Sequence, residues 1–294
     1  MRPVKIITDS CSDLGGDIRK QYDIAYARMN TEYDGKELPA SLDWEYYTPK
    51  ELYDVMRAGN RVLTTQVPVD EFTNIFTEYL EKGFDIVYIG CSTKQSGSVN
   101  TAAVVAKPLL EKYLDGRIFC IDSYNACFGE GMLAVQAAEY RDAGMDAQTI
   151  ADHITAVRND VNEYVTVNSL DTLKRAGRVK ASSAFLGNMF GVKPILISDV
   201  NGDQTPIKKV KGRQASMDEL VKLLKESIIR PENQRIYIAH ADCIDDAEYL
   251  KSLVEKEIPC KEIYMNYIGP IIGASIGPSA VGVFGFGKTV EFEA

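Results

Sequence analysis

Apolar runs that end in small polar loops and pass into helical patterns recur along the first half of the chain. That rhythm constrains the fold more than any other feature. Val4–Thr8 leads into Asp9-Ser10-Cys11-Ser12-Asp13-Leu14 and a helical stretch to about Tyr22. Val62–Val67 holds Thr64-Thr65-Gln66, closed by Pro68, before an amphipathic helix over Asp70–Glu81 with Phe72, Ile75, Phe76 and Leu80 on one face. Ile86–Ile89 runs into the polar turn Gly90 to Ser98 and a helix over Val99–Leu110. Arg117–Ile121 ends in Asp122-Ser123-Tyr124-Asn125 before a helix from about Gly129 to Ala143. Strands alternating with helices predict a parallel sheet covered on both faces. Between these units, Ile24–Met29 reads as a strand, Asp34-Gly35 as a hairpin turn, and Thr48-Pro49-Lys50-Glu51 as a capping box opening a helix to about Ala58.

The rhythm changes after a helix over Asp146–Val157, where a boundary is placed. Tyr164–Val167, Lys193–Ile197, Thr205–Val210, Arg235–Ala239, Glu262–Asn266 and Val281–Phe284 read as strands. Asn201-Gly202 is the strongest hairpin signal in the chain. Helices are expected from Ser169 to Arg175, over Lys180–Phe190, Ser216–Ile228 and Asp245–Glu257. The fold class is therefore α/β in two lobes. An N-terminal parallel, Rossmann-like domain spans residues 1–157, and a C-terminal α+β domain with a mixed or antiparallel sheet spans 158–294.

Composition excludes several functions. A formal net charge of −9 argues against non-specific nucleic-acid binding, which needs a basic surface. No apolar run is long enough to cross a bilayer, and the opening residues already read as a strand rather than a leader, so the chain is expected to be cytoplasmic. The six cysteines show no CxxC spacing and the two histidines are isolated, so no Cys/His zinc site and no metal is expected.

The turn within Val87–Ala102, VYIGCSTKQSGSVNTA, is the chief candidate site. It lies at the C-terminal end of a strand, the edge where open α/β sheets bind ligands. It also opens a helix, whose free N–H groups suit an anion. Ser92, Thr93, Ser96 and Ser98 supply hydroxyls, and Gly97 admits a ligand to the backbone. Its convergence with Thr8–Ser12, Thr64–Gln66 and Asp122–Asn125 would make one hydroxyl-lined pocket; the other reading is that these residues only cap helices. Lys208, Lys209, Lys211 and Arg213 form a basic cluster in an acidic chain, either a partner-docking face or a solvated one. His240 reads as structural.

Taken together, Ile6-Ile7-Thr8-Asp9-Ser10 with Asp13-Leu14, Thr64-Thr65-Gln66 with Pro68, Ser92 to Ser98, Asp122-Ser123 with Gly129 and Gly131, LDTLKRAGRV from Leu170, and IGPIIGASIGP from Ile268 resemble the DegV family in order, over about Val4 to Gly285. The resemblance implies a non-catalytic protein that holds a long-chain fatty acid in a tunnel between its lobes. It implies a binding subunit that presents the carboxylate to a separate, ATP-using fatty acid kinase for acyl-phosphate formation, with transient membrane contact and no cofactor. By that likeness Thr64 and Ser96 hold the carboxylate, and Thr65, Ser92, Gly97, Gly273, Ser275 and Arg175 complete the fatty-acid site. Phe185, Leu186, Met189, Phe190, Ile271 and Ile272 are available to line the tunnel. The chain departs from the family at Ser275, where a histidine is common, at Gln95 and at Ser98, so its head-group contacts must differ.

Two rivals remain at the level of sequence. A serine hydrolase or acyltransferase would use Ser96 or Ser92 as nucleophile, but no GxSxG elbow is present. A nucleotide-binding Rossmann module lacks its GxGxxG after the first strand.

Overall fold

A computed structural model describes residues 2–182, 185 and 191–294. In chain order the first part contains β1 (Val4–Asp9), α1 (Gly16–Gln21), β2 (Ile24–Ala27), β3 (Asn30–Tyr33), β4 (Lys36–Pro39), α2 (Pro49–Arg57), β5 (Leu63–Thr64) and α3 (Val69–Glu81). It continues with β6 (Asp85–Gly90), α4 (Ser98–Lys112), β7 (Ile118–Asp122), α5 (Phe128–Asp142) and α6 (Ala147–Val157). The second part contains β8 (Val161–Thr166), α7 (Asp171–Ala176), β9 (Val192–Ser198), β10 (Gln204–Lys211), α8 (Arg213–Ser227), β11 (Arg235–His240), α9 (Ile244–Glu257), β12 (Glu262–Tyr267), α10 (Pro270–Ile276) and β13 (Val281–Phe286).

The first sheet has the order β2-β1-β6-β7 and is parallel throughout. Its strands are apolar on both faces, and successive residues serve different cores. Ile6, Val87 and Ile89 pack with Leu133, Ile150 and Ile154 of α5 and α6. Ile7, Ile86 and Tyr88 pack with Phe72, Phe76, Val99 and Leu109 of α3 and α4. Period-two alternation thus sends neighbours to helices on opposite sides. A small sheet of order β4-β3-β5 stands beside it, with Thr31 paired to Thr64. Its hairpin turns at Asp34 and Gly35, both at positive φ, as the Asp-Gly pair predicts.

The second sheet has the order β10-β9-β8-β13-β11-β12. Only β11 and β12 run parallel, and the remaining neighbours are antiparallel, so the sheet is mixed. One face packs on α8 and α9 through Leu220, Leu224, Leu250 and Val254. The other offers Val165, Tyr237 and Phe284 to the core that also holds Phe128 of α5. Nearly the whole first half of α5 is buried, because it is enclosed between the two sheets. This packing sets the C-terminal edge of the first sheet against the second.

Two details differ from the sequence reading, and one lies outside the described residues. Lys180 to Ser182 are not helical; the Lys180 N–H instead donates to the Gln204 carbonyl, holding the segment along β10. Most of the expected Lys180–Phe190 helix, including Leu186, Met189 and Phe190, lies outside the described residues. The Gly-rich stretch after Ile268, left without an element by its composition, contains α10, started by Pro270 at its first position.

Candidate functional site

The polar loops at the edge of the first sheet interlock before they offer anything to a ligand. Asp9 at the end of β1 accepts from the Cys11 N–H (2.9 Å), the Cys91 N–H (3.2 Å) and the Tyr88 hydroxyl (2.7 Å). It thereby ties the first loop to the turn after β6. Asp122 accepts from the Thr93 N–H and hydroxyl, and the Ser92 N–H donates to the Asn125 carbonyl, tying that turn to the loop after β7. Asp9, Asp122, Ser123 and Asn125 neither line the pocket nor cap a helix; they hold the loops, and α1, α4 and α5 start without a side-chain cap.

What remains lines a cavity of about 160 Å³ between this edge and the second sheet. One part of its wall is polar, made by Thr64, Thr65, Gln66, Gln95, Ser96, Arg178 and Ser275. The rest is chiefly apolar, with Met29, Val165, Leu173, Ile268, Ile271, Ile272 and Phe284 among its residues. The Ser96 Oγ accepts from the Ser98 N–H at 3.2 Å and lies 2.9 Å from the Ser98 Oγ, which itself accepts from the Val67 N–H. The Ser96 and Ser98 hydroxyls, either of which can donate to the other, thus stand at the start of α4, whose first turn holds no acidic residue. A Cβ at Gly97 would meet the flexible end of the Gln66 side chain, which crosses it to donate to the Thr101 hydroxyl. Arg178 reaches across from the second half, its Nε donating to the Gln95 carbonyl at 3.0 Å.

This cavity, set between a parallel and a mixed sheet, is carried by a chain with clear relatives. The family model described as "Uncharacterised protein, DegV family" matches residues 3–288. The chain belongs to the DegV family. A DegV domain-containing protein of Clostridium perfringens is 36% identical over 99% of this chain and 100% of its own length. Among solved structures, a DegV family protein of Thermus thermophilus, described for its fatty acid binding, superposes with a TM-score of 0.88 at 26% identity, covering 98% of this chain and 100% of that one. DegV of Bacillus subtilis, described as a fatty acid binding protein, gives 0.83 at 25% identity, covering 98% and 100%.

Of the site residues expected from sequence, this DegV chain brings Thr64, Thr65, Ser96, Gly97 and Ser275 to the one cavity. Ser92 does not line it: the residue is fully buried and its hydroxyl donates to the Gly202 carbonyl in the β9–β10 turn at 2.8 Å. Gly273 is buried in α10, where its missing Cβ makes room for the Tyr53 ring. Arg175 belongs to a smaller, adjoining depression that it shares with Arg61, Arg178, Thr64 and Ser275. The reason is local. Gly177 ends α7 in the left-handed conformation (φ 69°), so Arg175 and Arg178 leave the helix in different directions. Sequence reasoning missed the cavity positions of Arg178, Gln66 and Gln95, although each sits inside a motif already singled out.

The basic cluster divides as well. Lys208, Lys209 and Lys211 are exposed on β10, an edge strand. Lys208 pairs with Glu219 at 2.7 Å, and Lys209 sits over the Phe185 ring. Arg213 is a structural tie and not part of that face: it holds Asp246 at 2.8 Å and donates to the Ser279 carbonyl at 2.7 Å.

Several acids are buried at the site: Glu163 lines the cavity, and Asp13 and Glu130 lie behind it. Burial pushes the Glu130 and Glu163 carboxyls up, and raises Asp13 to about 8, offset only in part by the nearby Cys127 thiol and Gly269 N–H. Neither histidine is among the residues lining the cavity. Burial holds His240 below its usual range, packed on the Tyr267 ring at 4.4 Å.

Proposed function

We propose that the protein binds a long-chain fatty acid in this cavity and presents its carboxylate to a separate, ATP-using kinase subunit. The observation that carries the reading is one continuous cavity with hydroxyls and a guanidinium on one part of its wall and mostly apolar side chains on the rest. A buried carboxylate requires several donors or a counter-charge. The Thr64 and Ser96 hydroxyls, the start of α4 and Arg178 offer both. The tail then supplies most of the affinity, at about 0.8 kcal/mol per buried CH₂. Fatty acid binding by the Thermus and Bacillus relatives points the same way.

The kinase-serving part draws on the adjoining depression, where Arg61, Arg175 and Arg178 surround an approach to Thr64 and Ser275. A partner bearing nucleotide phosphates would meet positive charge there. No histidine is among the cavity-lining residues, so Ser96 lacks the usual imidazole base there, which disfavours a hydrolase. The test is denaturing extraction of the purified protein followed by mass spectrometry. A stoichiometric fatty acid is expected. No released lipid, together with no uptake of added oleate or palmitate, overturns the reading.

A further inference from the structure

Three buried sulfur atoms and one carboxylate meet where β1, β6 and α5 converge, and the lipid reading uses the sulfurs at most as cavity wall and the carboxylate not at all. Cys11 follows β1, Cys91 follows β6, and Glu130 lies in the first turn of α5. The two Sγ atoms and a Glu130 carboxylate oxygen all lie within 4.8 Å of one another. The Met29 Sδ is 3.6 Å from the Cys11 Sγ. Two sulfurs held at about 2.3 Å by one tetrahedral ion stand about 3.8 Å apart, so this spacing suits a shared cation.

A second observation concerns Glu130 itself. It is 0% exposed, and its Oε1 accepts from the Thr8 hydroxyl (2.6 Å) and the Asp9 N–H (3.3 Å). Its Oε2 has no hydrogen-bond partner among the described residues. A buried carboxylate oxygen of this kind lacks a donor or a cation. Cys11, Cys91 and Met29 also line the cavity, which provides an entry path.

We propose that Cys11, Cys91, Glu130 and Met29 form a binding site for a thiophilic divalent d¹⁰ cation such as Zn²⁺. The chemistry selects that class. Thiolate and thioether donors favour soft or borderline ions over Mg²⁺ or Ca²⁺. Binding releases two protons as two thiols become thiolates, and the dication cancels those two charges; the Glu130 carboxylate leaves one negative charge, which its Thr8 hydroxyl and Asp9 N–H donors share. A monovalent ion would leave a second buried negative charge. The four donors come from four separate places, the connections after β1, β2 and β6 and the first turn of α5, which is why no local spacing announces them. The proposal stands independently of the fatty acid reading.

The test is titration of the full, reduced, chelator-treated and delipidated chain with Cd²⁺ as spectroscopic probe, with Zn²⁺ as competitor. Saturation at one ion per chain, a sulfur-to-cadmium charge-transfer band and a raised Tm are expected. Cys11→Ser and Cys91→Ser should each abolish the band, whereas Cys120→Ser, Cys243→Ser and Cys260→Ser should keep it. Glu130→Gln should weaken binding by at least the roughly 10- to 100-fold that even an outer-shell partner is worth. A band that survives both Cys11→Ser and Cys91→Ser overturns the proposal. Should those variants fail to fold, X-ray absorption of the wild-type cadmium complex decides: a shell with two or three sulfurs supports the site, and one of oxygen and nitrogen alone refutes it.

Discussion

Within the turn from Cys91 to Ser98, serines four positions apart do opposite jobs. Ser92 spends its hydroxyl on the Gly202 carbonyl, while Ser96 lines the cavity. Sequence shows that hydroxyls gather here but not which way each points, because direction depends on the backbone path of a short turn. The same limit separates Arg175 from Arg178 across Gly177. If Thr64 and Ser96 each donate to one carboxylate oxygen, each bond contributes roughly 1.5–3 kcal/mol. Thr64→Val and Ser96→Ala should then weaken acid binding about 10- to 150-fold. Affinity for the methyl ester, which lacks the charge, should barely change. Fluorescence titration with both ligands checks this, and unchanged acid affinity in both variants places the head group elsewhere. Asp13 yields a pH prediction. Its carboxyl, with neither oxygen at hydrogen-bond geometry to a donor, is raised from 3.8 to about 8. A raised acid binds its proton more tightly in the folded state, so its contribution to stability is full below pH 3.8 and is lost as pH climbs through about 8. Urea midpoints should therefore fall from pH 5 to pH 8, and Asp13→Asn should flatten that slope by up to about 1.36 kcal/mol per pH unit. An unaltered slope in the variant would mean that Asp13 is ionised in the fold.

At the scale of elements, β1, β6 and α3 are legible because apolar periodicity and burial agree along their length. The case that fails is α10. Its sequence, PIIGASI between Gly269 and Gly277, carries weak helix propensity and reads as a loop. Packing supplies what propensity lacks. The Tyr53 hydroxyl donates to the Ile268 carbonyl at 2.8 Å, and its ring lies against Gly273, pinning α10 over α2. That contact places Ser275 and Ile271 at the cavity. Gly273→Ala should drive a Cβ into the Tyr53 ring and cost about 1–3 kcal/mol, the usual penalty for overpacking. Tyr53→Phe removes the hydroxyl nearest that Cβ, so the double variant should be less destabilised than the two single effects sum to. Denaturant unfolding of the four proteins measures the coupling, and strict additivity would show that the two side chains do not meet.

The whole molecule joins its halves more tightly than the sequence suggests. A change of rhythm near Val157 separates the strands of the parallel sheet from those of the mixed one, but a single core runs across it. The Phe128 ring of α5 lies 5.3 Å from Tyr237 and 5.9 Å from Phe284, residues of the opposite sheet. The first half of α5, from Phe128 to Val135, is buried on every side, the mark of a helix enclosed by protein. With the halves fixed, the surface around the cavity mouth is what a partner would meet, and β10 offers its Lys208, Lys209 and Lys211 along an exposed edge. Lysines on an edge strand also deter sheet-to-sheet aggregation, so two roles compete for them. On the kinase-serving reading, Lys208→Glu combined with Lys209→Glu should leave fatty acid affinity intact and slow acyl-phosphate formation with the kinase subunit. The defect should be largest at low salt and shrink as ionic strength rises, because exposed charges chiefly set encounter rates and are screened over about 10 Å at 0.1 M. Initial rates measured across a salt series, alongside lipid affinity and sedimentation, separate the two roles. Wild-type rates at low salt with new oligomers in the variant would assign the lysines to edge protection and remove them from partner docking.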